Sequence, residues 1–241
     1  MILLVDFAPM PRRPPGVLSN VLSKVSDGVT SIEAQREPHA QFWDEWNAEA
    51  AAADGPLWVV LGDSSSQGIG ARNPLEGWVP LVLERLRSKT SEPWRVINLA
   101  ITGGQFDDIT EFELPRVDQL REQGQEPQIM SLLAGANNLM APNSWAKSFD
   151  HLDRILATLP AGRSVVARVG VSTPMNSVMA RKYNQRIEAA ARDSDFKLFW
   201  PWAWPSRDGM AADKWHPSPK GYGYMLELIW PCFAEIVDTD R

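Results

Sequence analysis

From Leu57 onward the chain alternates short β-rich runs with longer stretches of helical periodicity, and this alternation limits the fold more than any other feature. The strand candidates are "LWVVL" (57–61), "RVINLA" (95–100), "QIMSLLA" (128–134), "SVVARVG" (164–170) and "FKLFW" (196–200). Amphipathic stretches near 79–89, 106–123, 145–158, 177–193 and 221–237 lie between or after them. Parallel neighbours in a sheet need a crossover, and a helix supplies it, so strands bracketing helices predict a parallel sheet covered on both faces. The expected body is a three-layer α/β/α domain with a five-stranded sheet over residues 56–241.

Residues 1–55 are expected to form an N-terminal helical extension. Val17, Leu18, Val21, Leu22, Val25, Val29 and Ile32 fall at helical spacing, with Gly28 as a weak point. A second helical stretch, "HAQFWDEWNAEAAAA", carries Phe42, Trp43 and Trp46. One reading packs both segments across the body as a cap. The other gives them an amphipathic face that touches a lipid surface or covers an active site.

Charge and cysteine content narrow the functional classes. With 24 Lys plus Arg against 30 Asp plus Glu, the formal charge of -6 repels a phosphate backbone, so nucleic acid is not an expected partner. Cys232 is the sole cysteine, which excludes an intrachain disulfide and a thiolate cluster and fits a reducing compartment. The first residues do not read as a signal peptide, and no apolar run reaches the length of a membrane span. A cytoplasmic location is expected, with peripheral membrane contact through the extension as the alternative.

In an open parallel sheet, ligands bind beyond the carboxyl ends of the strands. Four places there carry chemistry: Gly62-Asp63-Ser64 after the first strand, "NLAITGGQ" with Gly103 after the second, "AGANNL" with Asn137 and Asn138 after the third, and "DKWHPS" with Asp213 and His216 before the last helix. Ser64 on a strand-to-helix turn has an exposed hydroxyl, but a serine needs a base to become a nucleophile. His216 is the best candidate, since His39 lies in the extension and His151 inside a predicted helix. Asp213, three residues before it, can accept from Nδ1 while Nε2 faces the serine. The Ser64 amide, the Gly103 amide and the Asn137 side chain are candidate donors to an oxyanion. Alone, each signal more often marks a turn or a loop cap than a site. Their joint placement at one sheet edge is what singles them out.

These blocks resemble the four sequence blocks of the SGNH hydrolases, also called GDSL esterases and lipases. The resemblance spans roughly residues 57–237 and implies a flavodoxin-like α/β/α fold. It also implies Ser64 as nucleophile, His216 as base, Asp213 as its partner, and an oxyanion hole from Ser64, Gly103 and Asn137. No cofactor or metal is implied. Two positions depart from the family pattern. Asn138 stands where aspartate is usual, which is expected to alter local packing rather than activity, and Ser65 stands where leucine is common. The "GDSxxQGIGA" form is similar to an actinobacterial type.

The expected function is a serine esterase or lipase acting on small-molecule carboxylic esters. An acyltransferase to a sugar or lipid hydroxyl would use the same site. A flavodoxin-like protein cradling the phosphate of FMN in "DSSSQG" is the alternative from another class. Nucleotide-loop and HExxH patterns are missing from the sequence. Trp200, Trp202 and Trp204 either line an acyl or sugar pocket or anchor a proline-rich loop.

Overall fold

The computed structural model describes residues 7–16, 25–141, 145–170, 177–201 and 207–239. Five parallel strands, β1 (Leu57–Gly62), β2 (Arg95–Asn98), β3 (Ile129–Leu133), β4 (Ser164–Ala167) and β5 (Lys197–Phe199), form one sheet in the order β2-β1-β3-β4-β5. This is the flavodoxin-like order, and it reverses direction between β1 and β3, which opens a crevice at their carboxyl ends. Val60 pairs with Asn98 on one side of β1, and Gly62 pairs with Leu133 on the other.

Period-two alternation gives β1 two buried faces. Leu57, Val59 and Leu61 join one core cluster, while Trp58 and Val60 join the other. The first face is covered by α4 (residues 106–122), α6 (Trp145–Thr158) and α7 (Ser177–Ser194) through Val117, Ile155 and Tyr183. On the second face, α3 (Trp78–Thr90) and α8 (Pro219–Thr239) bring Val82 and Phe233. A short α5 (Ala136–Leu139) follows β3. Trp58 packs on Phe233 at 4.8 Å between ring centres and satisfies its indole N–H on the Ser131 hydroxyl at 2.9 Å.

All five predicted strands are present, and most end a residue or more before the predicted carboxyl boundary because the chain leaves the ladder there to build loops. Helix α4 begins as Phe106–Asp108, widens into a π turn over Ile109–Glu113 and resumes as Leu114–Glu122. Periodicity alone predicted an unbroken helix there. The π turn places Glu113 under β1, where it accepts a hydrogen bond from the Gly62 amide at 2.9 Å.

In the extension, residues 17–24 of the predicted first helix lie outside the described residues. Helix α1 covers Asp27–Glu33 and α2 covers Arg36–Ala52. Gly28 is a contact point: a Cβ there would lie 2.6 Å from the Ala212 carbonyl oxygen. Helix α2 lies along β2, the edge strand on that side of the sheet. Its Asn47 accepts from the Asn98 amide and donates to the Asn98 carbonyl, both at 2.8 Å, as a further strand would. Trp46 donates to the Val96 carbonyl at 3.2 Å. Trp43 is fully buried and Phe42 and Trp46 pack on the core, so the aromatic side of α2 lies against the protein. Among the described residues no helix is long and apolar enough to cross a membrane.

Asn47→Ala strands one buried backbone donor and one acceptor. It is expected to cost about 3 kcal/mol, read by urea unfolding. A loss under about 0.5 kcal/mol, the scale of an ordinary surface substitution, contradicts the edge-capping role.

Candidate active site

Strand β1 ends at Gly62, whose φ of +155° and close packing favour glycine: a Cβ would lie 2.4 Å from the Leu133 carbonyl oxygen. The chain then turns sharply. The Asp63 carbonyl accepts from the amides of Ser66 and Gln67, and the Ser64 carbonyl accepts from Ile69. Ser66 and Gln67 are buried. Gln67 donates to the Ala100 carbonyl at 2.7 Å, while its own carbonyl accepts from His39 Nδ1 and Trp43 Nε1 of α2. The serine run therefore divides: Ser66 is packed in the turn, whereas the Ser64 hydroxyl faces the cleft and donates to His216 Nε2 at 2.9 Å.

His216 Nδ1 donates to Asp213 Oδ2 at 2.6 Å, and Asp213 Oδ1 accepts from the amides of Trp215 and His216. Burial would raise the Asp213 carboxyl. The hydrogen bond and charge of His216, with those two amides, outweigh it and hold Asp213 below the ordinary aspartate value. Lys214, inside this tight segment, has a left-handed φ of +59°.

The histidine segment is clamped to the serine turn. Gly70, with φ +101°, leaves room for the Pro217 carbonyl, which a Cβ would meet at 2.2 Å. Tyr222 at the start of α8 donates to the Ile69 carbonyl at 2.7 Å. Ile32 of α1 packs with Ile69 and Ala211, so the extension also touches both segments.

Gly103 also has a left-handed φ, +80°. Neither its amide nor that of Ser64 donates to any described residue. The Asn137 side chain is held by the Gly104 carbonyl at 2.9 Å and reaches Asp63 at 3.4 Å. Ser64, Gly103, Asn137, Asp213 and His216 all line one cleft. All five site residues expected from sequence are thus brought together. Asn138 instead accepts from the Phe106 amide at 3.1 Å at the start of α4, a task either an Asn or an Asp oxygen performs.

The cleft has two lobes meeting at Ser64 and Asn137. One, about 350 Å³, is walled by Leu133, Ala134, Val169 and Met210. The other, about 780 Å³, is walled by Thr102, Gln105 and, from the extension, Arg13 and Arg36. Trp215 and Lys214 line both. Sequence reasoning assigned no role to these two and missed both arginines, which stand far from any motif. Trp200 is exposed beneath the Arg168 guanidinium, 5.4 Å from its ring centre, while Trp202 and Trp204 lie outside the described residues.

Two acids underlie the serine turn. Burial raises Asp63 from its ordinary 3.8 to about 6, against the Ser65 amide and the His216 charge, which lower it. Burial, with the Asp63 charge beside it, likewise holds Glu113 well above its ordinary value despite the Gly62 amide. Between about pH 4 and pH 6 the folded chain then binds more protons at Asp63 than the unfolded chain does, so the contribution of Asp63 to stability is present at low pH and fades as pH rises through this window. Asp63→Asn removes that component. Urea unfolding at stepped pH is expected to show a steeper decline in wild type than in the variant across the window, and parallel curves contradict the assignment.

A family model described as "GDSL-like Lipase/Acylhydrolase family" matches residues 60–224. No curated protein sequence matches the chain. Among solved structures, TesA is similar at a TM-score of 0.62 and 20% identity, over 75% of this chain and 99% of that one. The psychrotrophic esterase EstA from Pseudoalteromonas sp. is similar at 0.60 and 19%, over 76% and 98%. A lipase/acylhydrolase from Enterococcus faecalis is similar at 0.57 and 18%, over 73% and 94%. At these identities the structures carry the fold, and none of the matches bears on the narrower actinobacterial type. The family match extends over well more than half of the chain, from β1 into α8: the protein belongs to the GDSL-like lipase/acylhydrolase family and is a hydrolase.

Proposed function

We propose that the protein cleaves small-molecule carboxylic esters through an acyl-Ser64 intermediate. The observation that carries this reading is the continuous relay from the Ser64 hydroxyl to His216 Nε2 at 2.9 Å and from His216 Nδ1 to Asp213 at 2.6 Å. His216 takes the Ser64 proton as the oxygen attacks the ester carbonyl. It then gives that proton to the departing alkoxide, so that an alcohol leaves and an acyl-serine remains. Water, deprotonated by the same ring, attacks the acyl-serine and releases the carboxylic acid. Asp213 holds the ring tautomer and stabilises the imidazolium, in keeping with its lowered pKa. The amides of Ser64 and Gly103 stabilise the tetrahedral oxyanion together with the Asn137 N–H that exchanges its long 3.4 Å contact to Asp63 for the oxyanion, its other N–H staying on the Gly104 carbonyl. The smaller lobe, with its apolar walls, suits a short or medium acyl chain.

An acyltransferase would pass the acyl group to an alcohol from the same intermediate, but a family of acylhydrolases favours water. A phosphate cradle is poorly served by this turn. Its Ser66 and Gln67 side chains are buried, and the Asp63 carboxyl lies beneath it. Residues 1–55 are read as an extension whose described residues close the β2 edge and wall the cleft, with no separate core among them.

Ser64→Ala and His216→Ala are expected to lower kcat on a p-nitrophenyl ester by several orders of magnitude, since such residues act as a unit. Asn137→Ala is expected to cost about 10²- to 10³-fold. Asn138→Ala is expected to act on stability far more than on kcat. The reverse pattern for the two asparagines contradicts the assignment of the oxyanion donor.

A further inference from the structure

Arg36 occupies an unfavourable place by local rules. It opens α2, at the positive end of the helix dipole, where a cation is disfavoured. Its guanidinium is also largely buried, and desolvation lowers its pKa despite the Glu33 carboxylate 3.5 Å from Nε. A residue that breaks local preference and loses hydration needs a compensating contact, and such positions concentrate at functional sites.

The compensation lies on two backbone carbonyls. Nη2 donates to the Arg13 carbonyl at 2.6 Å and to the Thr102 carbonyl at 3.2 Å. These contacts use both of its hydrogens, so this edge of the guanidinium is committed to the protein and not to a ligand. The Thr102 carbonyl and the Gly103 amide are the two ends of one planar peptide group. A donor at the carbonyl end draws electron density onto the oxygen and makes the N–H at the other end a stronger donor. A charged donor does this more strongly than a neutral one. Gly103 has no side chain to intervene: its missing Cβ would lie 3.5 Å from Nη2. Next to Arg36, Gln35 accepts from the Gly70 amide at 2.8 Å, so one turn of the extension grips the oxyanion loop and the loop beside His216 together.

We infer that Arg36, which lies outside the span matched by the family, is a positioning residue for hydrolysis. It holds the Thr102–Gly103 peptide from its carbonyl side and polarises the Gly103 N–H toward the oxygen that gains negative charge. The inference rests on the reading of Gly103 as an oxyanion donor. Because that charge develops in the transition state, loss of Arg36 acts on kcat and leaves KM nearly unchanged.

The test uses the full chain and a p-nitrophenyl ester, with Arg36→Gln, Arg36→Ala and Arg36→Lys beside wild type and Ser64→Ala. Arg36→Gln keeps a donor without the charge, and is expected to lose about 5- to 10-fold in kcat, a fraction of what removing a whole oxyanion donor costs. Arg36→Lys is expected to recover part of the loss. Guanidinium at millimolar concentration is expected to restore kcat in Arg36→Ala by refilling the vacated space, which a merely structural role would not produce. A rise in KM at unchanged kcat, or a loss in folded Arg36→Ala that guanidinium leaves untouched, overturns the inference. Should Arg36→Ala fail to fold, the kcat of Arg36→Gln relative to Arg36→Lys decides, and equal values overturn it. Full activity in Ser64→Ala would instead remove the underlying catalytic reading, so the two failures are distinguishable.

Discussion

A hydroxyl and an imidazole 152 residues apart in the chain are held 2.9 Å apart, and the rest of the site is arranged around keeping them there. A contact between two loops has no regular ladder to fix it. Here backbone packing does so: Gly70 admits the Pro217 carbonyl, Tyr222 ties α8 to Ile69, and the amides of Trp215 and His216 fix Asp213 below the ring. Each device acts on backbone, so the side-chain geometry follows from the path of the chain. Bulk at Gly70 would meet both the Pro217 carbonyl and, at 2.9 Å, the Cβ of His216, and so push the imidazole from the serine.

The same turn rests on a buried acid pair that an apolar core would replace at lower cost. Asp63 and Glu113 both have raised pKa values, and each is bonded to a backbone amide, Asp63 to that of Ser65 and Glu113 to that of Gly62. Those amides belong to the sharp turn that leaves β1, where no ladder partner satisfies them. The carboxyls act as fixed acceptors for a backbone held in an unusual path, and the π turn in α4 is the local distortion that brings Glu113 there.

The sheet was legible because its signals are local and repeated. Most strands are apolar runs, several of them rich in β-branched residues, the helices between them are amphipathic, and the alternation admits few topologies. Ser64, Gly103, Asn137, Asp213 and His216 were legible because strand ends can be located and the sheet edge collects them. What could not be read is what acts through long-range backbone contact. Asn47 satisfies both the amide and the carbonyl of Asn98 across 51 residues, and Arg36 reaches Thr102 across 66. Neither carries a pattern, since one asparagine or arginine in a helix looks like any surface residue. The extension's aromatics raised a lipid surface as an alternative because periodicity shows that a helix has an apolar face but not what covers it. The π turn was invisible for a related reason: one extra residue in a helical stretch leaves the hydrophobic spacing nearly intact.

Every proposed role at the cleft depends on Ser64 Oγ being the atom that becomes acylated. Peptide mapping by mass spectrometry after reaction with a fluorophosphonate reads this directly. The expected result is one adduct on the peptide bearing Ser64, formed in wild type and lost in His216→Ala. An adduct at another residue, or full ester hydrolysis by protein that takes up no label, would contradict it.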